Sequence, residues 1–153
     1  MKIHLLLAAF LLAAFVPACA RAGGAPDKCT ALREGYFLKV SAFTSWQQVS
    51  DAFLCLPPGA DDGAPAEAFS DRVGWLLAYR WESIGALQDL FVRDPAFSQF
   101  VVRHIDLTIP ADQLETIRAN ATERCPAASA ALCHSLLSAV ARVDAEAAEE
   151  ASQ

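Results

Sequence analysis

Apolar side chains recur along most of the chain at steps of three and four residues, the spacing that places them on one face of an α-helix. An early run with this spacing contains Cys29, Leu32, Tyr36, Val40 and Phe43. No segment alternates convincingly between apolar and polar residues with the period of two that a strand requires. The pattern therefore predicts an all-α fold, a compact bundle of about five to six helices.

Capping residues and prolines mark where individual helices begin and end. Ser45 and Gln48 have the spacing of a capping box, which predicts the start of a helix after Ser45. The segment 57–65 begins with two prolines and a glycine, and we expect it to be a loop because proline supplies no helical donor. Asp94 followed by Pro95 predicts another helix start, with an N-cap and a proline at the first helical position.

The remaining boundaries are set by glycines, prolines and acids. Residues 66–93 carry a helical pattern, but the interior glycines predict a bend or two helices near Ser83–Gly85. Pro110 is expected to open the following helix, and Pro126 separates that helix from the last one. Residues 144–153 contain acids but no base and no large apolar side chain, so they are expected to be either a frayed helix end or an acidic, disordered tail.

The first twenty residues have the organisation of a secretory signal peptide. A basic residue at position 2 precedes an apolar run from Leu5 to Val16, and small residues at Ala18 and Ala20 predict cleavage before Arg21. The apolar run is shorter than the ~20 residues that a bilayer span requires. We therefore expect a signal peptide at 1–20, a helical domain at 21–143 and location in the bacterial periplasm.

A lipoprotein remains the alternative product of export. The residues Val16-Pro17-Ala18-Cys19 resemble a lipobox, in which the cysteine becomes the acylated first residue. Membrane association is expected only if Cys19 is lipidated. Pro17 departs from the usual lipobox pattern, which favours the soluble product.

Four cysteines remain after residues 1–20 are removed: Cys29, Cys55, Cys125 and Cys133. An even number in an oxidising compartment predicts two disulfides, and the absence of a C-x-x-C pair argues against zinc. If the first two helices form a hairpin, Cys29 and Cys55 lie within about 8 Å along its axis at ~1.5 Å per residue. A second short hairpin brings Cys125 close to Cys133. We therefore predict the pairs Cys29–Cys55 and Cys125–Cys133.

Charge and motifs exclude several function classes. The chain has 12 Lys and Arg against 18 Asp and Glu, a formal charge of −6, and so lacks the basic surface that nucleic-acid binding requires. His104 near Asp106 is the most enzyme-like pair, but a histidine at a helix end is also favoured by the helix dipole. No catalytic, cofactor or metal site is predicted, and the chain is not expected to be an enzyme.

An aromatic segment is the candidate binding surface. Trp75, Tyr79 and Arg80 are residue types that dominate protein interfaces, and they could form an exposed patch. Asp61 and Asp62 would then supply a negative rim that steers a basic partner. The alternative is a central helix packed on all sides, with its charged side chains paired to neighbours.

The cysteine pattern carries a resemblance to a known kind of protein. Cys29 in a first helix, Cys55-Leu56-Pro57 before a longer helix and a late Cys125-Pro126 resemble small periplasmic immunity proteins, which protect Gram-negative cells against cell-wall amidases from type VI secretion. The resemblance implies a helical, disulfide-linked, exported protein that binds a toxin, here expected to be basic, and occludes its active site. This chain departs from the pattern by continuing beyond Cys125, with a further cysteine at Cys133.

A second class of function stays open beside toxin immunity. A structural or stress-related accessory of the periplasm, chaperone-like or an envelope lipoprotein, would have the same export signal, helices and disulfides. Neither class requires a cofactor.

Overall fold

The computed structural model describes Cys29 and residues 39–153. These residues form six helices: α1 (Trp46–Phe53), α2 (Ala64–Tyr79), α3 (Ile84–Arg93), α4 (Pro95–Arg103), α5 (Ala111–Glu123) and α6 (Ala130–Glu150). Two short 3₁₀ turns, Trp81–Ser83 and Ala127–Ser129, precede α3 and α6. The described residues include no strand, so the predicted all-α fold is confirmed. The predicted signal peptide and residues 30–38 of the predicted first helix lie outside the described residues.

Two helix starts follow the capping rules. The Ser45 hydroxyl accepts from the Gln48 backbone N–H at 3.4 Å, and the Gln48 side chain accepts from the Ser45 N–H at 3.2 Å. The Asp94 carboxylate accepts from the N–H groups of Ala96 and Phe97 at the start of α4. Both predicted helix starts are confirmed. In each case a side chain no more than three residues away bonds the free N–H groups of the first turn.

The helical pattern over residues 66–93 forms two helices, as predicted, and the second helix begins at Ile84, inside the expected range Ser83–Gly85. Helix α2 ends at Tyr79, where the side-chain amide of Asn120 donates to the carbonyls of Leu77 and Ala78 at 3.2 and 3.0 Å. The Trp81 ring is buried just beyond the break, and its Nε1 donates to the backbone of Arg124 at 3.0 Å. The break is therefore set by contacts with the end of α5, rather than by the glycine at position 85.

Helix α5 packs against both α2 and α6, α3 packs against α1 and α4, and α4 also contacts α6. Phenylalanines fill the space between α1, α2 and α4. The Phe100 ring lies 4.9 Å from both the Phe53 and Phe69 rings, and Phe97 lies 5.6 Å from Phe53. Phe69, Phe97 and Phe100 are fully buried, so this cluster forms the centre of the core.

Both predicted disulfides are present. Cys29 is bonded to Cys55 and Cys125 to Cys133, with Cα–Cα distances of 5.1 and 6.2 Å. The hairpin reasoning thus identified the correct pairing among three alternatives. Each bond closes a local loop, with sequence separations of 26 and 8.

The last helix extends beyond the position at which the sequence pattern ends. Helix α6 continues to Glu150, so residues 144–150 are helical, in agreement with the first of the two alternatives expected for this segment and not with a disordered tail. Asp144 pairs with Arg118 of α5 at 2.6 Å, and Glu146 pairs with Arg142 at 3.1 Å. These contacts anchor a segment that has no large apolar side chain.

Candidate functional site

Four polar side chains from separate parts of the chain meet inside the bundle. Ser70 of α2 and His104 at the end of α4 are 0% and 3% exposed, and the Ser70 Oγ lies 2.9 Å from the His104 Nδ1. The Ser70 hydroxyl also lies 2.6 Å from a carboxylate oxygen of Asp106. The other ring nitrogen, Nε2 of His104, lies 2.9 Å from Asp61 Oδ1. We call these four side chains the polar network.

Local structure explains how the network is assembled. Helix α4 ends at Arg103 with His104 as its C-cap, and the imidazole packs against the rings of Phe100 and Phe69 at 4.3 and 5.7 Å. Asp106 follows in the connector, residues 104–110, where its second oxygen accepts from the N–H and hydroxyl of Thr108 at 2.9 and 2.6 Å. The carboxylate of Asp106 therefore fixes the turn of the connector and joins it to α2.

The loop that precedes α2, residues 57–63, begins with Pro-Pro-Gly and is called the Pro-Gly loop here; Asp61 holds it in place. Its carboxylate bonds the buried His104 ring through one oxygen and pairs with Arg103 through the other. The Asp61 side chain is only 19% exposed as a result. Asp61 thus links the Pro-Gly loop to the end of α4, and its charge is already matched by a neighbouring cation.

Burial is the largest influence on the pKa of His104 and lowers it from the ordinary value of 6.5. The carboxylate of Asp61 opposes this effect by its charge and its hydrogen bond, and Asp106 opposes it by charge. Because the effect of burial is larger, we expect the imidazole to be neutral at pH 7.

The neutral ring leaves the network one proton short. It carries a single N–H, which with the Ser70 hydroxyl supplies two protons for three contacts, while ionised carboxylates only accept. A second proton on His104 would complete all three hydrogen bonds, but it would place a charge inside the bundle. The network therefore joins three segments by hydrogen bonds, and one of its three contacts lacks a proton while His104 is neutral.

The network has the composition of a Ser-His-Asp triad but a different geometry. In a triad the serine contacts the Nε2 and the aspartate the Nδ1, and here the two nitrogens have exchanged roles. A nucleophilic hydroxyl must also meet a substrate carbonyl, whereas Ser70 is completely buried. What this geometry does is hold α2, α4 and the Pro-Gly loop together.

The connector also forms part of an open apolar groove. Its volume is about 360 Å³, and it separates the connector from the first turns of α5 and the acidic end of α6. We call it the connector groove and define it by its apolar lining residues, which are Leu107, Ile109, Pro110, Ala111, Leu114, Val143 and Ala147. The Leu107 side chain is 41% exposed at the edge of this groove. A smaller depression of about 170 Å³ lies between α3 and α6, next to the exposed side chain of Val92.

The predicted aromatic patch is only partly exposed. Tyr79 is 49% exposed, and its ring lies 6.3 Å from that of Trp75, which is half-buried against the core. The guanidinium of Arg72 covers the Trp75 ring at 4.8 Å. Arg80 turns toward Glu82 and bonds it at 2.6 Å, as the packed-helix alternative proposed.

The acidic rim proposed for this patch is not assembled. Asp61 reaches α2 near Ser70, whereas Tyr79 is the last residue of that helix, nine residues or about 13 Å further along. Asp62 is exposed, but its carboxylate accepts from the N–H of Gly63 in the same loop. The loop acids and the aromatic residues therefore belong to different parts of the surface.

Sequence reasoning did not identify the connector groove. Leu107 and Pro110 are apolar residues inside a short connector, and this was the one local indication that the connector has an apolar side. The wall from α5 follows the connector directly, whereas the wall from α6 depends on packing between segments more than 30 residues apart.

No helix of the described part of the chain is long and apolar enough to cross a bilayer. Within the same residues, no cluster of three or more His, Cys, Asp or Glu side chains is arranged to bind a metal. Comparison of the chain with protein families, curated proteins and solved structures finds no match.

Proposed function

We propose that this chain is an exported binding protein that protects the cell by occluding a toxin acting in the periplasm. The observation that carries the proposal is the connector groove, an apolar surface open to solvent at the acidic end of a disulfide-linked bundle. Concave, mostly apolar surfaces that carry a few polar groups are the usual form of binding sites on proteins.

Charge supports a basic partner. The chain carries a formal charge of −6, and an acidic surface accelerates its encounter with a basic protein. Toxins directed at the cell wall or at membranes commonly need positive charge to reach anionic targets. Binding over the active site would then block the toxin without any chemistry by the inhibitor.

The two disulfides support action outside the cytosol. Bonds of this kind persist in oxidising compartments such as the periplasm and are rare in the cytosol. They also restrict the unfolded chain, which stabilises a small helical protein exposed to a proteolytic environment.

Co-expression tests the proposal directly. The chain is expressed together with the periplasm-directed secreted protein encoded beside it, and colony growth and co-purification are measured. We expect growth to be restored and the two proteins to co-purify. A version that lacks residues 1–20 is the control, because it stays in the cytosol and should give no protection. Full toxicity despite verified export of the complete chain would contradict the proposal.

A further inference from the structure

We propose that the connector groove is the docking surface for a basic segment of the partner that carries apolar side chains. This inference rests on the proposed function and specifies which surface acts and what chemistry it recognises. The groove is a concave surface at the small end of the range for binding pockets, large enough for the side chains of one short segment.

The floor of the groove is rigid and its edges are open. Ile109 and Val143 are buried core residues, so the floor is part of the packed bundle. Leu107 and Ala147 are exposed on opposite edges, one on the connector and one on α6. A partner side chain would thus exchange contact with water for contact with a preformed apolar surface.

Acids surround this end of the bundle. Asp144 lines the groove itself, and the other carboxylates on the adjoining turns of α5 and α6 are those of Asp112, Glu115, Glu146, Glu149 and Glu150. The only Lys or Arg side chains on the two helices are Arg118, which pairs with Asp144, and Arg142, which pairs with Glu146. The other four carboxylates form no ion pair with another described residue, so the region is strongly negative.

The acids of α6 are placed where they oppose helix stability. The C-terminal end of a helix carries partial negative charge, and carboxylates near it are unfavourable. Glu149 and Glu150 occupy the last turn of α6, which contains no basic residue. An arrangement that costs stability without a compensating contact in the described residues is expected where a surface serves binding.

This charge identifies the occupant. A second copy of the chain would bring the same carboxylates face to face, and an anionic lipid would be repelled in the same way. A polypeptide segment with leucine-like side chains flanked by lysines or arginines satisfies both the apolar floor and the acidic edges. We therefore assign the groove to a basic amphipathic segment of a protein partner.

The test uses the purified protein with both disulfides intact and two synthetic helical peptides. One is a 12-residue peptide of leucines and lysines, and the other has every lysine replaced by glutamate. Calorimetry measures the affinities, and amide chemical shifts locate the binding site. We expect the basic peptide to bind at least about tenfold more tightly, to weaken with added salt, and to shift residues of the groove.

A matched pair of variants assigns the binding to the groove. Ala147→Arg fills its edge, whereas Ala145→Arg adds the same charge to the same helix at a position that does not line it. We expect Ala147→Arg to weaken peptide binding by about tenfold and Ala145→Arg to change it by less than about twofold. Circular dichroism checks that both variants keep the helical content of the parent.

Several results would overturn the assignment: no binding of the basic peptide, equal binding of both peptides, shifts centred on another face, or equal effects of the two arginine variants. Growth assays separate this outcome from failure of the proposed function. If Ala147→Arg protects cells as well as the parent chain does, the groove assignment is wrong and the function stands. If the peptide binds the groove but the parent chain protects against no neighbouring secreted protein, the proposed function is wrong and the groove assignment stands.

Discussion

Asn120 of α5 holds the end of helix α2. Removing its side chain should lower the free energy of unfolding, although helix propensity within α5 alone would favour alanine. Its side-chain nitrogen donates to the carbonyls of Leu77 and Ala78 at 3.2 and 3.0 Å, and its oxygen accepts from Arg124 at 3.0 Å. Asn120 is 4% exposed, so water cannot easily replace these bonds. In Asn120→Ala the last carbonyls of α2 lose their donor.

The expected cost follows from the bonds that are lost. A buried polar group left without a partner costs about 1–3 kcal/mol. Alanine recovers up to about 0.7 kcal/mol through its better helix propensity. We therefore expect Asn120→Ala to lower the free energy of unfolding by about 2 kcal/mol, which corresponds to a fall of about 4–8 °C in Tm for a chain of this size.

Urea unfolding followed by helical circular dichroism measures this effect. Asn120→Asp is informative because it keeps the size of the side chain but faces two carbonyls with a carboxylate, so it should be at least as destabilising. Thr116→Ala on the same helix is the control, since the Thr116 hydroxyl bonds only the helix backbone, at Asp112, and its loss should cost less than about 0.5 kcal/mol. A loss below about 0.5 kcal/mol for Asn120→Ala would refute the reasoning.

Three further perturbations test the packing, the cross-links and the network. Gly74→Ala should lower the urea midpoint because the added Cβ would lie 3.0 Å from the side chains of Gln113 and Ile109. Gly85→Ala, whose Cβ would meet no atom within 4 Å, should raise the free energy of unfolding by about 0.5–1 kcal/mol. Equal effects of the two substitutions would contradict this reasoning. Replacing both Cys125 and Cys133 by serine should cost about 2.5 kcal/mol for a loop of this length, measured by the same unfolding assay, and an unchanged midpoint would exclude a stabilising bond. Because burial lowers the pKa of His104, the contribution of this residue to stability should be complete above pH 6.5 and should decline as the pH falls below that value. Urea midpoints measured between pH 7.5 and 5 should therefore fall less steeply for His104→Gln than for the parent chain. Parallel profiles would contradict a lowered pKa of His104.

Elements defined by short-range rules could be predicted from the sequence. The helix starts after Ser45 and Asp94 depend on hydrogen bonds that span two or three residues, so a short stretch of sequence contains all the partners. The disulfide pairs, at sequence separations of 26 and 8, followed from the hairpins expected between neighbouring segments of the chain. These predictions succeeded because each contact lies within one element or between neighbouring segments.

The errors concern contacts between distant segments. The end of α2 is fixed by Asn120, some 43 residues further along the chain, and no pattern within α2 indicates where it stops. Asp61 was assigned to an exposed rim because it lies in a loop, yet it bonds His104 over a separation of 43 residues. The sequence pattern of a loop acid and of a histidine at a helix end is the same whether the two side chains face solvent or bond each other. Only the packing of the helices decides which of these occurs.

The connector links the polar network to the connector groove, two features that the sequence pattern did not reveal. Asp106 bonds Ser70 on one side and Thr108 on the other, so the path of the connector is fixed relative to α2. The same segment forms one wall of the connector groove, although Ser70 does not line it. A wall already held in place loses little conformational entropy when a partner docks. Ordering a free loop would cost about 0.5–1.5 kcal/mol of binding free energy for each side chain that becomes immobilised. The buried network therefore serves the proposed binding surface by keeping its shape, and this gives a triad-like set of residues a role that needs no contact with a substrate.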